Sequence, residues 1–144
     1  FFHFKNYTFL ADFAHNPHGL RLLCDFISKL DYKTKIGVIS GTGDRRDEDI
    51  RELGEISAHC FDEIIIRCDK NLRGRSADEI IALLKEGVDK VNPTLPTKVI
   101  ANENEALEYI YANPVHGALY TIMCDVVAGA LDKIKELKDR ESGA

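Results

Sequence analysis

The sequence predicts a three-layer α/β domain with a Rossmann-like, mostly parallel sheet. Short apolar runs rich in β-branched residues alternate along the whole chain with longer segments whose apolar residues recur at helical spacing. Such alternation favours parallel strands joined by right-handed crossover helices that cover both faces of the sheet. The 144 residues, 44% of them hydrophobic, suffice for one domain with a substantial core and are few for two.

The chain opens with two predicted strands that form a hairpin at the edge of the sheet. Phe1–Phe4 and Tyr7–Ala11 are aromatic or apolar runs, which favour strands, and the polar pair Lys5-Asn6 between them suits a tight turn. Because a hairpin joins antiparallel neighbours, the first strand is expected to run against the others.

A helix is predicted to follow the second strand after a short loop. Asn16 suits the N-cap position, where a side-chain oxygen accepts from the helix backbone, and Pro17 suits the first helical position. Apolar residues then recur at helical spacing as far as about Leu30. The segment is therefore predicted to be strand, loop and helix, with Asp12 and His15 in the loop.

Four further strand and helix pairs complete the predicted domain. The strands are the apolar runs Lys35–Ser40, Glu63–Cys68, Lys98–Ala101 and Ala118–Cys124. The helices are predicted to begin at the acids Asp47–Asp49, at the capping box Ser76–Glu79, at Asn102 and at Asp125. The polar tail from Lys138 to Ala144 is expected to fray.

Composition and charge argue against several classes of function. A net charge of -5 at pH 7 disfavours a general nucleic-acid surface, which is normally basic. No apolar run approaches the roughly 20 residues that a membrane span requires. The N-terminus lacks the features of a signal peptide. We therefore expect a cytoplasmic protein with neither a membrane nor a nucleic-acid partner.

The cysteines are not expected to form disulfides or a metal site. Cys24, Cys60, Cys68 and Cys124 are widely separated, and each lies in an apolar segment. Buried free thiols therefore fit this pattern better than disulfides or a zinc site.

The loops after the predicted strands gather charged residues at one edge of the sheet. Parallel strands present their carboxyl ends at that edge, where open α/β sheets bind their ligands. Arginine suits bidentate contact with carboxylate or phosphate, so arginines in two of these loops indicate an anionic ligand. The gathered residues are Asp12, His15, Asp44, Arg45, Arg46, Asp69, Arg73, Arg75 and Asp125.

A structural explanation competes with the functional one at several of these positions. Asp and Asn commonly cap helices and form turns, and this accounts for Asp47, Asp49 and Asp125 at least as well as a ligand does. For the arginines the alternative is a solvated loop, which carries less weight because two loops with arginine face the same crevice. The arginines are therefore the residues that indicate an anionic ligand.

His15 differs from the other histidines because it lies between Asp12 and a helix N-terminus. A neutral imidazole there can hydrogen-bond a ligand, while the helix end favours an anion. Gly41-Thr-Gly43 lacks the third glycine of a dinucleotide fingerprint, and the sequence has neither a P-loop nor a defensible Ser-His-Asp or Cys-His set. Spacing alone thus predicts an anion or nucleotide site, without a catalytic or metal-binding residue.

The segment Asp12-Phe-Ala-His15-Asn16-Pro17 resembles the AHNP signature that opens the C-terminal domain of the Mur-type amide ligases. That superfamily includes the muramoyl-peptide ligases, folylpolyglutamate synthetase and cyanophycin synthetase. The resemblance covers nearly the whole chain and is greatest to the cyanophycin-synthetase-like branch, on Gly41-Thr-Gly-Asp-Arg-Arg-Asp-Glu-Asp49, Glu52-Leu-Gly54 and Asp69 with Leu72-Arg-Gly-Arg75.

This resemblance implies an ATP-dependent ligase. Such an enzyme activates a carboxylate as an acyl phosphate, which the amine of an incoming amino acid then attacks to form an amide. The P-loop and most Mg²⁺ ligands would lie in a preceding central domain. The chain also begins in a strand-like segment without an initiator methionine. Residues 1–144 would therefore be a single C-terminal domain excised from a longer chain and inactive alone.

The resemblance also implies roles for individual residues. Asp12 and His15 would contact the ribose and adenosine of ATP, with Asn16 shaping the loop. The carboxylates of the amino acid, or of an acceptor such as an aspartate-containing polymer, would be held at a second group of residues. That group comprises Asp44, Arg45, Arg46, Asp69, Arg73 and Arg75.

Two departures from the family pattern keep alternatives open. Phe13 stands where Tyr or Gly is commoner, and Met123-Cys-Asp125 ends the last strand without the Gly-Lys-Gly-His-Glu of many Mur ligases. The alternatives are a Mur-type ligase for another amino acid and a nucleotide- or anion-binding module without catalysis. A phospho-receiver domain fits less well, because Asp125 has no lysine beside it.

Overall fold

The computed structural model describes residues 1–12, 16–40, 46–68, 76–123 and 127–143. Its strands are β1 (Phe2–His3), β2 (Tyr7–Asp12), β3 (Lys35–Ile39), β4 (Glu63–Ile66), β5 (Thr97–Val99) and β6 (Ala118–Met123). They form one sheet in the order β1-β2-β6-β3-β4-β5. β1 pairs antiparallel with β2, and the other pairs are parallel. The predicted parallel sheet with an N-terminal hairpin is confirmed.

Helices cover both faces of this sheet. They are α1 (Pro17–Ser28), α2 (Asp47–Cys60), α3 (Ala77–Val91), α4 (Glu103–Ala112) and α5 (Val127–Gly143). α1, α2 and α3 pack side by side over one apolar core, whereas α4 and α5 pack together over a second core on the opposite face. The three-layer α/β architecture is therefore also confirmed.

Side-chain caps begin α3 and α4 at the predicted residues. The Oγ of Ser76 accepts a hydrogen bond from the backbone N–H of Glu79 at 3.1 Å. Likewise, Oδ1 of Asn102 accepts from the N–H of Glu105 at 3.0 Å. Each cap satisfies one of the N–H groups that the first helical turn leaves without an intrahelical partner. The predicted start at Asp125 lies outside the described residues.

α2 and α3 approach each other closely at two glycines. A Cβ at Gly54 would overlap the carbonyl oxygen of Leu84, and a Cβ at Gly87 would overlap that of Arg51. Because glycine has no Cβ at either position, the backbones of the two helices can touch. This contact fixes the spacing of the two helices that follow β3 and β4.

The prediction that the polar tail frays is wrong, because α5 continues to Gly143. Arg140 donates to both carboxylate oxygens of Glu108 on α4 at 2.9 Å, and Lys133 donates to the same carboxylate at 2.6 Å. These bonds lower the pKa of Glu108 to about 2. The Nζ of Lys138 donates to the carbonyl of His3. The last turns are therefore held by long-range polar contacts that a polar sequence does not reveal.

The cysteine prediction is confirmed in part. Cys24, Cys60 and Cys68 are free, but each is only partly buried. Cys124 lies outside the described residues. None of the described helices is long and apolar enough to cross a membrane.

Candidate functional site

The carboxyl ends of four neighbouring strands form the edge at which ligand binding is predicted. Asp12, the last residue of β2, is in register with Met123, the last residue of β6. On the other side of β6, Val38 of β3 is in register with Ile122, and the backbone N–H of Arg67 donates to the carbonyl of Ile39 at 2.9 Å. The ends of β2, β6, β3 and β4 therefore lie side by side.

The topology places a switch point at this edge. β6 lies between β2 and β3, yet the helix after β6 covers one face of the sheet and the helices after β2 and β3 cover the other. Where successive connections leave a parallel sheet in opposite directions, a ligand crevice is expected at the carboxyl ends of the strands. We therefore expect the crevice at the end of β6.

Asn16 begins α1 beside this crevice. Its backbone is extended, with φ of -133° and ψ of 161°, and its Oδ1 accepts from the N–H of Gly19 at 2.8 Å. Pro17 occupies the first helical position, as predicted. The first turn, Pro17-His-Gly19, carries no acidic side chain, whereas the first turn of α2 carries Asp47, Glu48 and Asp49. The positive end of the α1 dipole is thus not offset by an acid of its own first turn.

Replacement of Asn16 by alanine is expected to lower the free energy of unfolding by about 1 kcal/mol, because the Gly19 N–H loses its acceptor. Asn102→Ala is the matched control, since it removes the same cap from α4. Urea denaturation of both variants checks this expectation. A loss for Asn102→Ala with none for Asn16→Ala would show that the α1 cap contributes nothing to stability.

Asp12 and Arg46 lie on different parts of this edge. Asp12 is half-buried at the end of β2. Arg46 is the N-cap residue of α2, and its exposed guanidinium bonds Asp49 at 3.0 and 3.1 Å, with Glu48 at 3.6 Å. The hydrogen bonds to Asp49 raise the pKa of Arg46 above its ordinary value. In this structure Arg46 is thus tied to the first turn of its own helix.

The remaining predicted site residues fall in ranges that the structure does not describe. His15 lies in 13–15, Asp44 and Arg45 lie in 41–45, and the later group lies in 69–75. These ranges follow β2, β3 and β4, so the chain enters and leaves each of them at the edge already defined. The residues concerned are His15, Asp44, Arg45, Asp69, Arg73 and Arg75.

Arg67 is a residue of this edge that sequence reasoning assigned only to a strand. Its side chain is 2% exposed, and its guanidinium donates to the carbonyl of Met123 and pairs with Glu103 at 3.3 Å between Nε and Oε2. Because β3 separates β4 from β6, the Arg67 side chain reaches across the end of β3. The sequence signal was a lone cation in the apolar run Glu63–Cys68.

The described part of the edge suits an anionic or nucleotide ligand. Asp12 offers acceptor oxygens, and the N-terminus of α1 favours negative charge. Within the ranges that the structure describes, His, Cys, Asp and Glu nowhere form a group of three or more that could hold a metal ion.

Comparison with known proteins gives a consistent family assignment. A family model described as "Mur ligase, glutamate ligase domain" matches residues 2–125. The cyanophycin synthetase of Synechocystis sp. is 37% identical over 137 residues, which are 95% of this chain and 16% of that protein. A UDP-N-acetylmuramoyl-L-alanyl-D-glutamate--2,6-diaminopimelate ligase of Caldanaerobacter subterraneus is 34% identical over 109 residues, 76% of this chain and 22% of that protein. The chain therefore spans only a minor part of these relatives.

Solved structures share the fold. A UDP-N-acetylmuramoyl-L-alanyl-D-glutamate--2,6-diaminopimelate ligase superposes with a TM-score of 0.79 at 16% identity, over 97% of this chain and 31% of that chain. The folylpolyglutamate synthase of Mycobacterium tuberculosis, solved with ADP and AMPPCP, gives a TM-score of 0.65 at 20% identity, over 88% of this chain and 29% of that chain. At these identities the likeness concerns the fold alone.

Proposed function

The chain belongs to the Mur ligase, glutamate ligase domain family, and we propose that it is the C-terminal domain of an ATP-dependent ligase of the cyanophycin-synthetase type. The 37% identity to a cyanophycin synthetase over 95% of this chain supports that choice within the family. In the proposed enzyme, a central domain outside residues 1–144 holds the P-loop and most of the Mg²⁺ ligands. The domain formed by residues 1–144 closes over that central domain and contributes contacts to the nucleotide and the amino acid.

The observation that carries this proposal is the topological switch point at the end of β6, next to Asp12 and the capped N-terminus of α1. A carboxylate only accepts hydrogen bonds, so Asp12 suits the two hydroxyl donors of a ribose. The helix end favours the negative charge of a phosphate. We assign nucleotide contact to Asp12, His15 and Asn16.

ATP supplies the phosphoryl group that activates a carboxylate in this proposal. The residues of the chain bind and orient the amino acid or acceptor, and the closing domain excludes water from the activated group. Arg46 would exchange its bonds to Asp49 for a substrate carboxylate. That exchange costs little, because exposed ion pairs contribute little stability. The substrate group further includes Asp44, Arg45, Asp69, Arg73 and Arg75.

The three described free thiols agree with a reducing compartment, and we place the proposed enzyme in the cytoplasm. Its other partners are an amino acid, a carboxylate acceptor and the remaining domains of the same protein.

The proposed function predicts ADP release that depends on an amino acid. The full-length protein is incubated with Mg-ATP and an aspartate-rich acceptor, and the common amino acids are supplied one at a time. Stimulation by arginine alone would support the cyanophycin-type ligase, while stimulation by another amino acid would keep the ligase and change its substrate. No stimulation of well-folded protein would contradict the proposal.

The same assay tests the residue assignment. His15→Ala and Arg73→Ala are expected to lower the stimulated rate at least about tenfold, because each removes a ligand contact. His59→Ala is the control, since His59 is exposed near the end of α2, at the opposite end of that helix from the crevice. Equal rates in all three variants would contradict the assignment of His15 and Arg73 to the ligand site.

A non-catalytic nucleotide- or anion-binding module is the second candidate, supported by the charged residues clustered in the loops after the strands and by the absence of a full catalytic set from the sequence. It predicts tight binding by the 144 residues alone, whereas the ligase predicts weak binding. Calorimetric titration with Mg-ATP separates the two, and a dissociation constant at or below about 1 μM, roughly -8 kcal/mol, would favour the module.

A further inference from the structure

Two thiols from neighbouring helices meet in one surface cavity remote from the candidate site. Cys24 lies in the middle of α1, and Cys60 is the last residue of α2. Both line a cavity of about 470 Å³ and are partly buried. The thiol of Cys60 hydrogen-bonds the sulfur of Cys24, which together with burial raises the pKa of Cys60. The two sulfur atoms are therefore neighbours and remain reachable from solvent.

The packing around the pair holds the two thiols in place. α1 and α2 lie side by side, and both cysteines pack against the apolar core beneath them, next to buried Leu23 and Phe61 in the chain. A cross-link between sulfur atoms that are already neighbours needs little movement of either helix.

The surroundings of the pair carry mixed charge. Arg21, Lys35, His59 and Asp25 line the same cavity, and Arg21 pairs with Glu52. Lys35 lowers the pKa of Cys60, but the hydrogen bond to Cys24 and burial outweigh it. Since the thiolate is the reactive form of cysteine, Cys24 is the better candidate for the first attack.

We propose that Cys24 and Cys60 form a reversible intramolecular disulfide by exchange with a small organic disulfide. The thiolate of Cys24 attacks one sulfur of the reagent and releases one thiolate, which leaves a mixed disulfide on Cys24. Cys60 then loses its proton to solvent, attacks the Cys24 sulfur and releases the second thiolate. The two cysteine thiols are oxidised by two electrons, and the organic disulfide is reduced to two thiols.

The cross-link would join α1 to α2 and close the loop between residues 24 and 60. That loop contains β3 and the segment 41–45, which carries two of the predicted substrate residues. A disulfide restricts the unfolded chain, so the oxidised protein should melt at a higher temperature, by about 5 °C or more. The inference does not depend on the proposed ligase activity.

The test treats the 144-residue chain with glutathione disulfide, then blocks the remaining thiols with N-ethylmaleimide under denaturing conditions and maps the peptides by mass spectrometry. We expect a Cys24–Cys60 cross-link without bound glutathione, a raised melting temperature, and reversal of both by dithiothreitol. A stable mixed disulfide, a cross-link through Cys68 or Cys124, or no reaction of the folded protein would overturn the proposal.

Three single substitutions sharpen the result. Cys60→Ser should stop the reaction at a glutathione adduct on Cys24, because the resolving thiol is missing. Cys24→Ser should abolish the cross-link. Cys68→Ser is the matched control, since it removes a partly buried thiol from outside the cavity and should leave the cross-link unchanged.

Discussion

Gly87→Ala is expected to lower the free energy of unfolding by about 3 kcal/mol. The added methyl group would overlap the carbonyl oxygen of Arg51 and crowd the backbone N of Glu55. Backbone atoms cannot rotate away as a side chain can, so α2 and α3 must move apart and lose core contacts. Alanine gains only about 1 kcal/mol over glycine in helix propensity, so the steric term wins.

Gly129→Ala is the matched control for this substitution. Gly129 also lies within a helix, but a Cβ there would meet no atom within 4 Å. The same chemical change should therefore leave stability unchanged or raise it slightly, through helix propensity alone. Urea denaturation measures both variants, and a Gly87→Ala protein as stable as Gly129→Ala would show that the two helices are not held at backbone contact.

The local features of this fold were predictable because they depend on neighbouring residues. Asn16, Ser76 and Asn102 cap helices through a hydrogen bond to the third residue of the helix, and this arrangement is visible in the sequence itself. The hairpin of β1 and β2 follows for the same reason, since a short polar turn joins two apolar runs. Interactions between residues close in the chain can therefore be predicted from a short stretch of sequence.

Long-range features were not predictable from the same pattern. Nothing in Ala118–Met123 shows that this strand lies between β2 and β3, yet this insertion creates the topological switch point. The last turns of α5 were expected to fray because they are polar. Arg140 instead bonds Glu108, which lies on another helix and is distant in sequence.

The candidate site shows the same division between local and long-range information. Strand ends and loop charges located the edge, and Asp12 and Asn16 lie there in the structure. Arg67 was missed because its partners, Met123 and Glu103, are distant in sequence. A single cation within a run of isoleucines was the available signal, since a buried charge requires a specific partner.

Arg67→Met is expected to lower the free energy of unfolding by about 3 kcal/mol. Methionine keeps much of the side-chain volume but removes the cation, so the Met123 carbonyl loses the Arg67 donor and the Glu103 carboxylate, 19% exposed, loses its ion pair with Arg67. Breaking a buried pair from one side costs more than the pair contributes, because the other charge remains in a poorly solvated position. Urea denaturation of Arg67→Met measures this loss.

Arg140→Met is the exposed counterpart of this change. Arg140 also bonds carboxylates, on Glu108 and Glu136, but its side chain is 43% exposed. Water replaces those bonds, so the loss should be clearly smaller than for Arg67→Met. Adding Glu103→Gln to Arg67→Met should cost less than the sum of the single changes, because each single change already removes the Arg67–Glu103 ion pair. The proposed role of Arg67 would be contradicted if Arg67→Met lost no more stability than Arg140→Met and if the losses of Arg67→Met and Glu103→Gln simply added. In that case the backbone hydrogen bonds of the sheet alone would hold the ends of β4 and β6 in place.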